Sequence, residues 1–135
     1  MKTWTPHNAN GRFSNDSITL KSAFARSINS IAVRLGQEMG IKNIIRTAQE
    51  MGIKSPLDDE PSLALGSSDV NLLELVNAYS TVANDGEYHV PVVVTRILDK
   101  DGNEVYVAPK DHERALPYKT AFLMQEMLKA GVNEG

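Results

Sequence analysis

Apolar residues recur at helical spacing in the first third of the chain, and the pattern breaks once. It predicts a short helix over about residues 19–26 and a second helix that begins near Ser30. The tripeptide Ser27-Ile28-Asn29 separates them and places a hydroxyl and an amide at adjacent points of a turn. The apolar positions behind these predictions are Leu20, Ala23 and Phe24 in the first helix and Ile31, Leu35 and Met39 in the second.

The sequence QEMGIK occurs twice, at residues 37–42 and 49–54. We interpret each copy as a helix C-terminus, with Gly40 and Gly52 in the left-handed position after the last turn. The isoleucine that follows each glycine would fold back on the preceding helix, as in a Schellman motif. Residues 30–54 are therefore predicted to be two short helices joined tightly.

Two stretches lack the regular spacing of apolar residues that indicates a helix or a strand. Residues 1–18 are polar and rich in turn formers, which predicts an irregular lead-in that Trp4 and Phe13 anchor onto the helices. Residues 55–69 are predicted to be a linker without regular structure, because prolines and an acidic run interrupt it. Gly66 in this linker indicates a positive φ or a close backbone approach, next to Ser67.

The second half predicts a helix, a hairpin and another helix. Asn71 and Glu74 form a capping box at the start of a helix over residues 71–84. Residues 88–108 are rich in β-branched residues and contain Asp101-Gly102, a strong hairpin signal. Helical spacing returns over residues 117–130, so the fold class is α+β, mostly helical with one β-hairpin. The predicted buried face of the first of these helices is Leu72, Leu75, Val76, Tyr79 and Val82, and the predicted first strand contains Val92, Val93, Val94, Thr95 and Ile97.

Composition narrows the function classes. The 135 residues, 41% hydrophobic and 23% charged, fit one soluble globular unit. The net charge of −3 argues against a nucleic-acid partner, and the absence of cysteine excludes disulfides and thiolate metal sites. His7, His89 and His112 lie far apart along the chain, so we interpret them as solvated and expect no metal or organic cofactor.

The chain also lacks the signals of membrane targeting. No apolar run approaches the roughly 20 residues that a membrane helix needs. Met1-Lys2-Thr3 leads straight into Trp4 without an apolar stretch, so we expect no signal peptide here.

Ser27 and Asn29 are the candidate functional residues. Serine and asparagine are also ordinary N-caps, because their side-chain oxygens accept hydrogen bonds from a first helical turn. The tripeptide alone therefore fits a plain cap, a peptide-binding turn without catalysis, or a catalytic element.

Short motifs in a fixed order favour the catalytic interpretation. Their order and spacing resemble the transpeptidase domain of bifunctional (class A) penicillin-binding proteins over nearly the whole chain. The motifs are Trp4-Thr5-Pro6-His7-Asn8, Gly11, Thr19-Leu20, Ala23, Ser27-Ile28-Asn29, Ala32-Val33-Arg34-Leu35, Gly40, Ala64-Leu65-Gly66-Ser67, Leu72-Leu73-Glu74-Leu75, Ala78-Tyr79, Ala83-Asn84-Asp85-Gly86 and Met127-Leu128-Lys129.

Penicillin-recognising enzymes use three motifs, Ser-x-x-Lys, Ser-x-Asn or Ser-Asp-Asn, and Lys-Thr-Gly. No serine here has a lysine three positions on, and the single Lys-Thr pair, Lys119-Thr120, precedes Ala121 in a helical context. The resemblance therefore implies that residues 1–135 are a partial domain of the β-lactamase/transpeptidase-like type, with the middle motif present and the other two absent. Such a fragment is expected to be inactive alone and prone to self-association.

The resemblance implies a parent protein that cross-links peptidoglycan stem peptides by serine acyl transfer and binds β-lactams. Ser27 and Asn29 would belong to its catalytic site, and Asn29, Gly66 and Ser67 to its substrate-binding site. The parent would carry a glycosyltransferase domain and an N-terminal membrane anchor, and would face the periplasm or cell exterior. The alternative is a small helical peptide-binding or structural module without catalysis.

Overall fold

The computed structural model describes residues 4–13 and 16–135, so the predictions made on Met1–Thr3 lie outside the described residues. The described part contains more helix than strand, and its strands are short and antiparallel, which confirms the α+β prediction. Its helices are α1 (Leu20–Ala25), α2 (Asn29–Met39), α3 (Ile41–Glu50), a 3₁₀ helix (Pro61–Leu65), α4 (Leu72–Ala83) and α5 (Tyr118–Glu134), and its strands are β1 (Glu87–His89), β2 (Arg96–Leu98), β3 (Glu104–Val107) and β4 (His112–Arg114).

Helices α2 and α3 are joined by a single residue, Gly40. The Schellman prediction is confirmed at Gly52, where φ is +99° and the Ile53 N–H donates to the Ala48 carbonyl at 3.0 Å. It is wrong at Gly40, because α3 begins directly at Ile41 and no residue is left to fold back. Gly40 still has a positive φ of 84°, which turns the chain between the two helices.

The stretch predicted to be an irregular linker contains the 3₁₀ helix, so that prediction is wrong at residues 61–65. Pro61 is at its first turn, where the missing N–H and fixed φ of proline are tolerated. This 3₁₀ helix packs on α2 at Gly36, where a Cβ atom would be 3.1 Å from the Cβ of Ala64. The close approach explains why a glycine occupies the interior of α2.

Helix α4 begins as predicted, because the Oδ1 of Asn71 accepts a hydrogen bond from the Glu74 N–H at 2.9 Å. Its predicted buried face is wrong except at Val82. The side that packs on β1 and α5 carries Ala78, Thr81 and Val82, whereas Leu72 is 76% exposed. Small residues allow α4 to approach its neighbours, and the larger apolar side chains Leu72, Leu75, Val76 and Tyr79 are left exposed.

The strands form two antiparallel pairs. The hairpin around Asp101-Gly102 is confirmed as β2–β3, and its turn is organised by Asp99, whose Oδ1 accepts from the N–H groups of Asp101 and Asn103. The strand predicted at Val92–Val94 is wrong, because β2 begins at Arg96 and those valines are exposed. The second pair, β1–β4, encloses the hairpin and was not predicted.

The buried core is built mostly from small side chains. Helix α1 packs on α5, and the Gln125 Nε2 of α5 donates to the Val82 carbonyl at 2.8 Å, which ties α5 to α4. These contacts fix α1, and with it the turn that leads into α2. The buried apolar residues are Ala23, Ala25, Val33, Ile53, Ala78, Val82, Ala108, Leu116, Ala121 and Ala130.

Candidate active site

The turn between α1 and α2 is a Schellman motif with serine in the place that glycine usually takes. The Ile28 N–H donates to the Ala23 carbonyl and the Ser27 N–H to the Phe24 carbonyl, both at 3.0 Å. Ser27 has a φ of +50°, a left-handed conformation that costs an L-residue about 1–2 kcal/mol. Such strained backbone is concentrated at functional sites. The strain therefore makes Ser27 a candidate on structural grounds, in addition to its sequence motif.

The hypothesis that Ser27 and Asn29 are plain caps of α2 is wrong. The N-cap position is Ile28, and no side chain at that position caps the helix. Asn29 is the first residue of α2, and its Nδ2 donates to the backbone carbonyl of His7 at 2.8 Å. Ser27 lies one residue before the cap, with an exposed side chain.

The lead-in is held on this turn by polar contacts. The Oδ1 of Asn8 accepts from the Ser30 N–H at 3.0 Å, and the Nδ2 of Asn8 donates to the Arg12 carbonyl at 2.9 Å. Trp4 and Phe13 were predicted to anchor this segment, but they are 51% and 58% exposed, so that prediction is wrong. The motif Trp4–Asn8 contains both residues that contact α2, His7 and Asn8. The asparagine in this motif was the signal in the sequence that could have identified Asn8 as part of the site.

Two cavities meet at Ser27 and Ile28. The larger, about 570 Å³, is an apolar groove between α1, α2, the 3₁₀ helix and α5, and Asn29 also borders it. The smaller, about 390 Å³, lies between the lead-in and the α1–α2 turn and is bordered by Arg12, Arg26 and Ser30. Ser27 and Ile28 are thus on the rim of both cavities and Asn29 on the rim of the larger one, where an extended ligand has access to them.

Gly66 and Ser67 are not brought into the groove itself. Their neighbours Ala64 and Leu65 line it, whereas Gly66 ends the 3₁₀ helix with a φ of +77°. The hydroxyl of Ser67 donates to the Ser62 hydroxyl at 3.1 Å. The positive φ predicted for Gly66 is confirmed, and both residues lie immediately beside the wall of the groove.

Among the described residues that line the two cavities, Asp16 is the only candidate base for the Ser27 hydroxyl, and it borders the smaller cavity. The larger groove is lined by no carboxylate or imidazole from residues 4–13 and 16–135. A serine attacks carbonyls only when a neighbouring base removes its proton. The arrangement therefore suits a hydroxyl that relays protons and an amide that orients a substrate.

Glu74 and Glu126 have lowered pKa values, and neither is among the lining residues of the two cavities. The Ser55 hydroxyl and N–H donate to Glu74 Oε2 at 2.7 and 2.9 Å and lower the pKa of Glu74 below its ordinary 4.5. A hydrogen bond and the charge of Lys129 lower the pKa of Glu126 on α5. These interactions favour the ionised form of both carboxylates. A general acid must carry a proton, so neither carboxylate suits that role.

The described residues contain neither a metal-binding cluster nor a membrane-spanning helix. Residues 4–13 and 16–135 hold no group of three or more histidine, cysteine, aspartate or glutamate side chains placed to bind one metal ion. Within the same ranges, every helix is too short or too polar to cross a bilayer.

The sequence pattern of the family described as "Penicillin binding protein transpeptidase domain" matches residues 1–135. The chain therefore belongs to the penicillin-binding protein transpeptidase family. It is 39% identical over 127 residues to penicillin-binding protein 2D of Bacillus subtilis, covering 94% of this chain and 18% of that protein. It is 30% identical over 133 residues to penicillin-binding protein 1B of Haemophilus influenzae, covering 95% of this chain and 17% of that protein.

Solved structures share the fold. Penicillin-binding protein 1A from Haemophilus influenzae superposes with a TM-score of 0.89 at 23% identity, over 100% of this chain and 25% of that one. Penicillin-binding protein A from Mycobacterium tuberculosis, as its penicillin G acyl-enzyme complex, superposes with a TM-score of 0.78 at 21% identity, over 96% of this chain and 35% of that one. The relatives by sequence carry the names 2D, 1B and 1A, which confirms the resemblance to class A members.

Proposed function

We propose that residues 1–135 form the helical part of a peptidoglycan D,D-transpeptidase domain, with Ser27 and Asn29 in its catalytic site. The observation that carries the proposal is the strained Ser27 beside Asn29, on the rim of two cavities, in a chain of this family. The chain spans less than a fifth of the curated relatives it matches, so the activity described is that of a parent protein.

In this proposal, Ser27 and Asn29 have separate roles. The exposed Ser27 hydroxyl passes a proton to or from the reacting group, since a hydroxyl both donates and accepts. The Asn29 amide orients the substrate peptide; its Nδ2 already donates to the His7 carbonyl, which fixes the direction of the carboxamide. Gly66 and Ser67, beside the groove wall, contact the same substrate.

The nucleophilic serine and its lysine lie outside residues 1–135, as does the Lys-Thr-Gly strand. This follows from the absence of Ser-x-x-Lys and Lys-Thr-Gly from the sequence. The chain alone is therefore inactive toward penicillin. The parent binds β-lactams and stem peptides, carries a glycosyltransferase domain and is anchored at the extracytoplasmic face of the inner membrane.

Self-association of the chain alone is part of the same proposal. Leu72 and Tyr79 on α4 are 76% and 57% exposed, and Leu73 and Val76 extend the same apolar surface. Contiguous exposed apolar surface of this kind favours association. Sedimentation over a range of concentrations tests it, and a single monomeric species at all of them would contradict it.

Intact-mass analysis after incubation with penicillin G tests the enzymatic proposal. The parent protein is expected to gain one adduct and the chain none. In the parent, Ser27→Ala is expected to slow acylation about 100-fold or more, the contribution of a positioned proton-transfer group. Ser80→Ala on α4 is the matched control, because that hydroxyl only donates to the Val76 carbonyl of its own helix.

Two results would overturn the proposal. An unmodified parent would remove the transpeptidase assignment. A covalent adduct on Ser27 in the isolated chain would show that Ser27 is itself a nucleophile, which contradicts the role given to it here.

A further inference from the structure

Two histidines that are 23 positions apart in sequence become neighbours in the β1–β4 pair. His89 and His112 are directly opposite each other in the antiparallel register, and their rings lie edge to face with centroids 5.2 Å apart. The sequence had suggested three separate, solvated histidines. Strand pairing changes that interpretation for two of them, because residues opposite each other have side chains on the same face.

The surroundings of the pair are open and mixed, because the shallow cavity that both histidines line also contains Lys110 and Asp111 beside Val90, Val92 and Pro109. Both histidines are exposed, and the His89 Nε2 is 4.0 Å from the Oε2 of Glu87, which is two residues earlier on the same face. The other carboxylate oxygen of Glu87 binds Arg114 at 2.8 Å; Arg114 is directly opposite Glu87 and two positions from the histidine pair in register. That ion pair and the strand hydrogen bonds hold the backbone on both sides of the histidines.

We propose that His89 and His112 bind one borderline transition-metal ion, such as Zn²⁺, Ni²⁺ or Cu²⁺, across the β1–β4 pair. Imidazole nitrogen is a ligand that these ions favour over the hard cations Mg²⁺ and Ca²⁺. The two imidazoles are the protein ligands in this proposal, and water completes the coordination sphere. The site is consequently an exchangeable surface site, unlike a closed structural one.

Binding would connect two strands of three residues each. A ligand that binds only the folded state stabilises it in proportion to the logarithm of its concentration above Kd. The metal would therefore raise the melting temperature of the chain. This inference depends on the strand register and not on the proposed transpeptidase function, so either can fail without the other.

Calorimetric titration of the chain with ZnCl₂ and with NiCl₂ tests the proposal. One equivalent is expected to bind to the wild type. His89→Gln and His112→Gln are each expected to weaken binding more than about tenfold, since even the loss of an outer-shell partner weakens metal sites by that factor. His7→Gln is the matched control, because only the backbone carbonyl of His7 makes its contact with Asn29.

A site-specific measurement covers the case in which a variant does not fold. Paramagnetic Ni²⁺ added to ¹⁵N-labelled wild type is expected to broaden the amide signals around His89 and His112 first. Absence of binding, broadening centred on another region, or an equal loss in His7→Gln would overturn the proposal. So would Ca²⁺ binding of equal strength at the same amides, because it would assign the site to the carboxylates and not to the imidazoles.

Discussion

The Oδ1 of Asn8 accepts a hydrogen bond from the backbone N–H of Ser30 at 3.0 Å, across 22 positions of sequence. Ser30 is in the first turn of α2, whose own N-cap residue, Ile28, offers no side-chain acceptor. Asn8 therefore supplies from outside the helix the acceptor that a serine or aspartate cap would normally provide. The contact also holds the lead-in on the turn that carries Ser27 and Asn29.

Replacing Asn8 is expected to destabilise the chain. Asn8→Ala removes the acceptor for the Ser30 N–H and should lower the free energy of unfolding by about 1 kcal/mol, the usual loss for a helix cap. Urea unfolding followed by circular dichroism measures the change. His7→Ala is the control and should have little effect, because Asn29 donates to the main-chain carbonyl of His7. Equal unfolding midpoints for wild type and Asn8→Ala would contradict the assigned role.

Ser27→Gly is expected to stabilise the chain and to impair its proposed function. Glycine adopts a φ of +50° without the cost that serine has there, so the free energy of unfolding should rise by about 1 kcal/mol. The same substitution removes the hydroxyl, and acylation of the parent protein should slow. Ser22→Gly, inside α1, should instead lower the free energy of unfolding by about 0.5 kcal/mol. A destabilised Ser27→Gly variant would show that the hydroxyl makes a stabilising contact.

Gly86 combines a positive φ with a close backbone approach. Its φ is +90°, a Cβ atom there would overlap the carbonyl of Leu116, and its own carbonyl accepts from the N–H groups of Ala115 and Leu116. Gly86→Ala should therefore cost about 2–4 kcal/mol, the sum of left-handed strain and overpacking. Gly102→Ala, with a φ of +85° and open space around it, should cost only the strain, about 1 kcal/mol. Thermal unfolding of the two variants separates the contributions, and equal losses would exclude the Leu116 contact.

The contact between Glu74 and Ser55 predicts a pH dependence of stability. Because the Ser55 hydroxyl and N–H lower the pKa of Glu74 in the folded state, folding favours the ionised carboxylate. The stabilisation is present above the ordinary value of 4.5 and is lost as the pH falls through the lower pKa of the folded state. The difference in melting temperature between wild type and Ser55→Ala should therefore shrink below about pH 4. A difference that stays constant in that range would show that Glu74 is not the group responsible.

Local features of the fold could be predicted from the sequence. The Asn71 cap, the Schellman turn at Gly52 and the hairpin around Gly102 each depend on residues within a few positions of one another. Predictions failed where the outcome depends on contacts between residues far apart in the sequence. Whether Leu72 is buried depends on which side of α4 packs on β1 and α5, and the periodicity of α4 carries no information about that choice.

The candidate site was predictable in part. Ser27 and Asn29 were identified by their motif and its neighbours, but their geometry needed the fold. No periodicity connects Asn8 to Ser30, and no motif connects His89 to His112. The contact between Asn8 and Ser30 depends on where the irregular lead-in packs against α2. The contact between His89 and His112 depends on the register of strands that are too short to give a period-two signal.

The missing side chain at Gly36 determines how wide the groove beside Ser27 is. Helix α2 forms one wall of that groove and the 3₁₀ helix forms another, and the two meet at Gly36 and Ala64. A methyl group at residue 36 would be 3.1 Å from the Cβ of Ala64, so Ala64 would have to move outward by a few tenths of an ångström. Substitution at this buried position would therefore change the shape of the groove without altering the side chains of Ser27 and Asn29.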